Sequence, residues 1–537
     1  MPRPCLQAPR RCPSQQRTFA TTPASRAKSS SLPKLNSRPL RFGIVGGGPA
    51  GFYAASRLLS LPGSDKATVD LFELLPSPFG LARFGVAPDH PEVKNCEHKF
   101  EETARDPRFR FFGNIQVGSS ASSFSSSAAA SASPTGSSRS LAAVVSLEAL
   151  RPHYDALLFT YGASLDRPLN VPGESTLSNV FSARSFVNWY NGHPYHAEAL
   201  SPLLDLSKHE HVTVIGQGNV ALDLARMLLK PVDALREFDV PDYALAELSR
   251  SRVKHVDVVG RRGPLQLAAT TKELRELMNV PGVAFDMDSA LLQAAGREVE
   301  DNPTMESGRM RKRAMGLLKG GSKTSMAEAG KSWSLQFLQS PVELLASSST
   351  PSAVGGVRYA LNELIPPSTA TTVIDPNLLQ ARPTGEMREQ TTDMVFKSVG
   401  YRSIGIAGLP FDEKRGVVRN KAGRVVDEQG ETVGGLYTSG WLARGPTGVV
   451  ATTMFDAFAA ADLIASDFSS PSTSSTSAAT AASVRPPLPI EELRGSARVV
   501  SWEDWERIDK VERERGREKG KIREKFTSVK EMLDVLS

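Results

Sequence analysis

The run FGIVGGGPAGFYAASRLLS at residues 42–60 decides the fold, and HVTVIGQGNVALDLARMLL at residues 211–229 repeats its logic. In each, a short apolar run reaches a glycine-rich turn and passes into a helical pattern, the strand, turn and helix of a dinucleotide-binding unit. In the first, Gly46 permits the tight turn, Gly48 lets backbone approach a pyrophosphate, and Gly51 lets the helix pack on the strand. Pro49 suits a first helical turn, where its missing N–H is not needed, and the positive helix end favours phosphate. The second motif is Gly216, Gln217, Gly218, Asn219, Val220, Ala221, a GxGxxA in the same context.

The two motifs lead into strands whose ends carry opposite charge. After the first, the strand Thr68 to Phe72 ends in Glu73. A carboxylate there accepts from ribose hydroxyls and repels a 2′-phosphate, so this site wants FAD or NAD. After the second, Val256 to Val259 runs into Gly260, Arg261 and Arg262. Two guanidinium forks in place of the ribose acid are suited to bidentate capture of a 2′-phosphate, so NADPH is preferred over NADH. Opposite ribose chemistry in one chain describes a flavoprotein in which NADPH delivers hydride to FAD.

The rest of the chain bounds this picture. Its 537 residues, 40% hydrophobic and 7% aromatic, suit two large globular domains plus unstructured segments. No run of about 18 apolar residues offers a membrane span. The leader up to residue 40 is Arg- and Ser-rich, and no Asp or Glu occurs before Asp65, the composition of a mitochondrial transit peptide. Two of the three cysteines, Cys5 and Cys12, lie in it. Cys96 then stands alone, so neither a dithiol relay nor an iron–sulfur cluster can be built, and no metal site is expected. Residues 118–140 and 468–482 are Ser/Ala-rich loops. Beyond them, Trp502, Trp505, Met532 and Leu536 belong to a tail that packs back onto the body.

The expected fold is α/β, with two Rossmann-like domains of the three-layer ββα type and the NADPH domain inserted in the FAD domain. Leu157–Gly162 (LLFTYG) and Val395–Gly400 (VFKSVG) are the two crossovers. This places the leader at 1–40, the FAD domain at 41–161 and 400–537, and the NADPH domain at 162–399. Such an insertion allows the domains to shift about the nicotinamide cleft. Further along, Leu436 to Ser439 is a strand reaching Trp441, and Gly445 to Gly448 opens the helix VVATTMFDAFAAADLIA. A helix start aimed at the isoalloxazine favours negative charge on reduced flavin.

The strings PFGLARFGVAPDHPEVKN (78–95), GQGNVALD (216–223), VVGRRGPLQ (258–266) and SGWLARGPTGV (439–449) closely resemble the adrenodoxin reductase family, mitochondrial ferredoxin–NADP reductases of the glutathione-reductase-like type. The likeness runs from about Arg41 to the C-terminus, outside the two Ser/Ala-rich stretches. It implies an FAD enzyme that oxidises NADPH and reduces a small acidic [2Fe-2S] ferredoxin one electron at a time, with no nucleic-acid partner. By the family pattern Ala50, Glu73, Leu81 and Val117 contact FAD, as do Val449 and Val450. Gln217 to Val220, Arg261, Arg262 and Glu273 hold NADPH, and Trp441 and Gly448 lie where nicotinamide meets flavin. His90 and Asp223 match positions discussed as polar links near the flavin; a satisfied loop histidine and a helix anchor are the plainer readings. Arg275, Arg309 and Arg313 match the ferredoxin-facing arginines, within a basic group that includes Lys272, Arg311 and Lys312 and would steer an acidic carrier. Two alternatives are a flavoprotein partner of a larger synthase and an NADPH-binding redox sensor acting through partners. The sequence leaves open whether the body, in a mitochondrion, touches the inner membrane surface.

Overall fold

The computed structural model describes residues 33–35, 38–118, 141–301, 308–366, 375–469, 484–493 and 497–537. The leader up to residue 32 and the bulk of the two Ser/Ala-rich stretches lie outside the described residues.

Two parallel sheets carry the molecule. The first has the order 420–421, 424–426, 432–438, 156–159, 40–45, 67–72, 109–112, and its last five strands are parallel. The second has the order 283–287, 331–336, 255–259, 211–215, 394–397, 180–182 and is parallel throughout. Strands of the second sheet all fall between segments that build the first, so the second domain is an insert in the first. An antiparallel three-stranded sheet, Gln339–Ala346, Val354–Ile365 and Gln380–Thr391, completes the second domain. It packs Val357 and Tyr359 on Ile215, Val259 and Val395, while the helix α1 (Asn219–Leu229) packs Leu224 and Leu228 into the larger core that holds Val214 and Val258. That stacking is the three-layer ββα arrangement.

The crossovers run side by side. Leu165–Asp166 pairs antiparallel with Tyr401–Arg402, and the Arg167 N–H donates to the Gly400 carbonyl at 3.0 Å. The C-terminal tail is attached as expected. Trp502 and Trp505, on the helix Trp502–Glu518, are 7% and 2% exposed and set their rings edge-on to Phe79 at 6.1 Å. The tail then crosses to the other domain: Lys521 Nζ donates to the Val240 carbonyl at 3.0 Å, and Lys525 Nζ meets Asp239 at 2.8 Å.

Candidate dinucleotide sites and the seam between them

The first glycine motif lies at the end of strand Leu40–Val45. Gly46 has φ +115°, and a Cβ there would sit 2.5 Å from the Tyr161 nitrogen. Strand and crossover therefore approach as only glycine allows. Gly51 backs this turn, where a Cβ would meet the Gly46 carbonyl oxygen at 2.2 Å. Gly48, in contrast, has nothing within 4 Å of a built Cβ, so its backbone faces open space at the start of the helix Pro49–Ser60. Glu73 stands at the end of the neighbouring strand, with Oε2 accepting from the Gly47 N–H at 2.7 Å and Oε1 from the Leu75 N–H at 3.1 Å. Burial pushes its carboxyl above the usual carboxylate range, against backbone N–H groups that lower it.

A cavity of about 390 Å³ opens onto these residues. Gly46, Gly48, Ala50, Glu73, Leu81 and Val117 line it. Trp441, Val449 and Val450 belong to the same wall. Gly51 and Gly448 support the turns without reaching the wall; Gly448, at φ +79°, precedes the long helix Val450–Asp467. Trp441 is half-buried, held by an Nε1–H donated to the Thr447 carbonyl at 3.1 Å and by the Tyr401 ring, with centroids 5.9 Å apart. A largely apolar cavity lined by a glycine cradle, an acid and the start of a long helix fits FAD. The sequence missed part of the wall: Tyr161, Lys397 and Arg402 line it from the crossovers. Tyr161 and Lys397 stand within LLFTYG and VFKSVG, where the apolar pattern alone marks a strand and hides the polar residue near its end.

The second motif repeats the first. Gly216 has φ +129°, and a Cβ there would lie 2.1 Å from the Ser398 carbonyl oxygen; Gly218 again faces open space at the N-terminus of α1. Gln217 donates from Nε2 to the Gln336 carbonyl at 3.0 Å, and Asn219 accepts from the Thr270 N–H at 2.8 Å. Val220 is partly buried against the domain core. Glu273, in the first turn of α2 (Thr271–Met278), bonds the Thr270 hydroxyl beside Asn219. Arg261 is exposed and Arg262 half-buried, and among the described residues neither guanidinium takes part in an ion pair. They line a second cavity of about 360 Å³ with Leu379, Gln380 and Ala381. Unpaired guanidinium groups at the strand end fit a 2′-phosphate.

His90 and Asp223 line neither cavity. They sit in a seam of ion pairs joining the domains. His90 Nε2 meets Glu276 Oε2 at 2.5 Å; Asp223 pairs with Arg226 at 2.6 Å, and Arg226 also reaches Asp89. Burial raises the Asp223 carboxyl against the opposing Arg226 charge. Lys230 to Asp89, Lys94 to Asp239 and Lys272 to Glu92, at 2.8, 2.8 and 2.6 Å, extend the row. Lys272, expected to serve docking, is thus engaged across the seam.

Arg275 is exposed on α2, and Arg309 and Arg313 are exposed one turn apart on the helix Gly308–Gly320, which packs against α2. Arg311 of the same basic run turns inward, pairing with Asp375 at 2.9 Å and donating to the Leu265 carbonyl at 3.1 Å. Cys96 is the sole cysteine among the described residues, and burial pushes its thiol up to about 11.

By architecture and site chemistry this is an oxidoreductase with two dinucleotide sites, FAD in the outer domain and NADPH in the insert. The comparisons with known proteins agree. Residues 41–325 match the family described as pyridine nucleotide-disulphide oxidoreductase. The chain is 43% identical to the mitochondrial NADPH:adrenodoxin oxidoreductase of Drosophila melanogaster, over 92% of this chain and 93% of that one. It is 41% identical to the human protein of that name, over 92% and 91%. The solved structure of Mycobacterium tuberculosis FprA in complex with NADPH superimposes with a TM-score of 0.76 at 34% identity, covering 93% of this chain and 99% of that one. The chain belongs to the pyridine nucleotide-disulphide oxidoreductase family, among the NADPH:adrenodoxin oxidoreductases. The expected fold class and the expected pair of cofactors are borne out.

Proposed function

We propose that this enzyme takes hydride from NADPH and passes electrons singly to a small acidic [2Fe-2S] ferredoxin inside the mitochondrion. The observation that carries the proposal is the pairing of a carboxylate, Glu73, at one glycine motif with two unpaired guanidinium groups, Arg261 and Arg262, at the other. When bound, FAD supplies the conversion of a two-electron donor into one-electron steps.

The chain's own residues bind, orient and shield. Glu73 would accept from the adenosine ribose of FAD, and the start of the Pro49–Ser60 helix would hold its pyrophosphate. Val449 and Val450 lie at the start of the 18-residue helix, whose positive end favours negative charge on the flavin. Trp441, in the cavity wall, would cover the flavin ring and exclude water. Arg261 and Arg262 hold the 2′-phosphate, while Gln217 to Val220 with Glu273 fix the nicotinamide nucleotide at the start of α1. His90 and Asp223 act through the seam as positioning residues. Hydride transfer requires alignment rather than an acid and base pair, so no proton-transfer residue is needed. Cys96, the sole cysteine among the described residues, is half-buried with its thiol pKa raised, and electrons leave through a docked partner. Arg275, Arg309 and Arg313 receive that partner. The leader composition and the names of the eukaryotic relatives support the mitochondrial location.

Purified yellow protein should reduce a purified mitochondrial-type [2Fe-2S] ferredoxin at the expense of NADPH, read at the ferredoxin's visible absorbance. Flavin reduction by NADPH with no electron passage to ferredoxin would overturn the acceptor assignment.

A further inference from the structure

The N-terminal edge of the NADPH sheet holds a group of side chains that hydride and electron transfer leave unused. His211 and His255 open adjacent parallel strands and are register partners. Asp257, two residues beyond His255, projects from the same face. His255 Nε2 meets Asp257 Oδ1 at 2.9 Å, and His211 Nε2 meets Oδ2. The three ligand atoms lie within 4.8 Å of one another, the one such grouping among the described residues. The Asp257 side chain is 1% exposed and each imidazole 29%, so the carboxylate forms the floor and the rings the walls of a site open to solvent.

The surroundings are those of a held ligand set. His255 Nδ1 is bonded to Ser332 Oγ at 2.7 Å, which fixes the ring and leaves Nε2 directed at the site. Gln336 Nε2 reaches Asp257 Oδ1 at 2.6 Å from the neighbouring strand. Gln390, from the antiparallel sheet, sets its amide nitrogen on Asp257 Oδ2, and its amide oxygen is buried with no hydrogen-bond partner. A half-turn of that amide exchanges the two atoms and aims a fourth donor at the same point.

We propose that His211, His255 and Asp257 bind a divalent metal ion of the zinc class, with the Gln390 amide oxygen or a water completing a tetrahedral set. Two imidazoles and a carboxylate are the donors zinc selects, whereas magnesium and calcium prefer oxygen ligands alone. Bonds of about 2.0–2.1 Å place tetrahedral donors about 3.3 Å apart, a spacing that small ring rotations from the observed arrangement reach. Binding at Nε2 moves the proton that each neutral ring shares with the carboxylate to Nδ1, where for His255 the Ser332 hydroxyl accepts its hydrogen bond, and releases a proton only from a ring that carries two. Gly216 and Gly260 close the opposite ends of the same two strands, so the metal ties these strands together at their other end and stays clear of the nucleotide site.

The test uses the FAD-loaded full chain, stripped with chelator and titrated with Zn²⁺ against a competing dye and with Co²⁺ for its visible spectrum. The variants are His211→Gln and His255→Gln, each of which keeps an amide donor for Asp257. The wild type should take one equivalent, show a tetrahedral Co²⁺ spectrum and gain unfolding temperature with Zn²⁺. Each variant should bind on the order of 100-fold more weakly and lose that gain, with NADPH turnover held. A wild type that takes no metal, or variants that bind as well as it does, would overturn the assignment. Should a variant fail to fold, Zn²⁺ protection of His211 and His255 from diethyl pyrocarbonate in the wild type, read by mass spectrometry, decides the matter: protection supports the site and equal labelling rejects it.

Discussion

Replacing Arg261 and Arg262 together by alanine removes the only two cations that, among the described residues, line the cavity at the end of strand 255–259. The substitution leaves the loop standing, because main chain holds it: the Asn362 amide donates to the Arg261 carbonyl at 3.1 Å and the Leu338 N–H to the Arg262 carbonyl at 3.1 Å. A hydrogen bond to a charged group contributes about 1.5–3 kcal/mol, and an exposed one falls toward or below the lower end through solvent screening. With Arg261 exposed and Arg262 half-buried, the pair contributes about 3 kcal/mol to holding a 2′-phosphate, which is about 100-fold in kcat/KM. The single variants should divide this unequally, Arg262→Ala costing more. NADH lacks the phosphate, so its kcat/KM should change little. The assay is steady-state reduction of ferricyanide by each nucleotide in turn, which needs no ferredoxin. A parallel fall with NADPH and NADH would mean that the arginines support the domain rather than the phosphate, and the cofactor assignment drawn from them would fail.

Three further outcomes are expected. Charge reversal of Arg309 and Arg313 should slow ferredoxin reduction on the order of 10-fold or more at low salt and flatten its salt dependence, with ferricyanide reduction unaltered; unchanged ferredoxin kinetics would remove the docking role. Glu512 is 0% exposed and accepts two hydrogen bonds from the buried Arg83 at 2.6 and 2.7 Å, so Glu512→Ala should cost about 3–5 kcal/mol in urea unfolding, and a loss below about 1 kcal/mol would show that water re-solvates the pair. Asp89 feels burial, which raises its carboxyl, but Arg226 and Lys230 overcome this and hold it below the ordinary value of 3.8. A depressed carboxylate stabilises above its unfolded value and loses that contribution as pH falls through the folded one. Urea midpoints should therefore fall more steeply below about pH 4 in the wild type than in Asp89→Asn, and identical slopes would exclude this group as the source.

Both dinucleotide units were legible because their determinants are local. A glycine at the strand end, a helix start and the residue closing the next strand lie within a few dozen positions, so Gly46 with Glu73 and Gly216 with Arg261 could be read off directly. The tail was legible from its tryptophans, whose burial against Phe79 needed only a body to pack on. The features that escaped depend on contacts distant in sequence. Nothing near His90 announces Glu276, and nothing near Asp89 announces Arg226, so positions matched to flavin chemistry proved to lie in a seam of ion pairs. Lys397 and Arg402 escaped for another reason: an apolar strand pattern draws attention away from the polar residues at and beyond its end. The His211, His255 and Asp257 group had a visible trace, since strands of a buried parallel sheet read as nearly continuous apolar runs, whereas HVTVI, HVDVV and KSWSLQ place polar residues on alternate positions of three neighbours.

The seam bears on how the two nucleotides meet. An inserted domain joined by two crossovers is free to swing unless other contacts restrain it. Here the crossovers pair with each other, residues 89–94 set alternating charges against the insert, and the tail reaches across to Asp239 and Val240. Asp89 and Lys525 are 2% and 1% exposed in their side chains, so wide opening would strip partners from charges already desolvated, a cost of several kcal/mol for each broken pair. Opening that wide is disfavoured by more than thermal motion readily supplies. Under the proposed assignment of Trp441 and Gly448 to the nicotinamide site, exchange of that nucleotide is expected through local movement there, where residues 447–449 are exposed and the main-chain φ of Gly448 is +79°. The seam restrains the spacing between the two glycine motifs, which is the alignment that the proposed hydride transfer depends on.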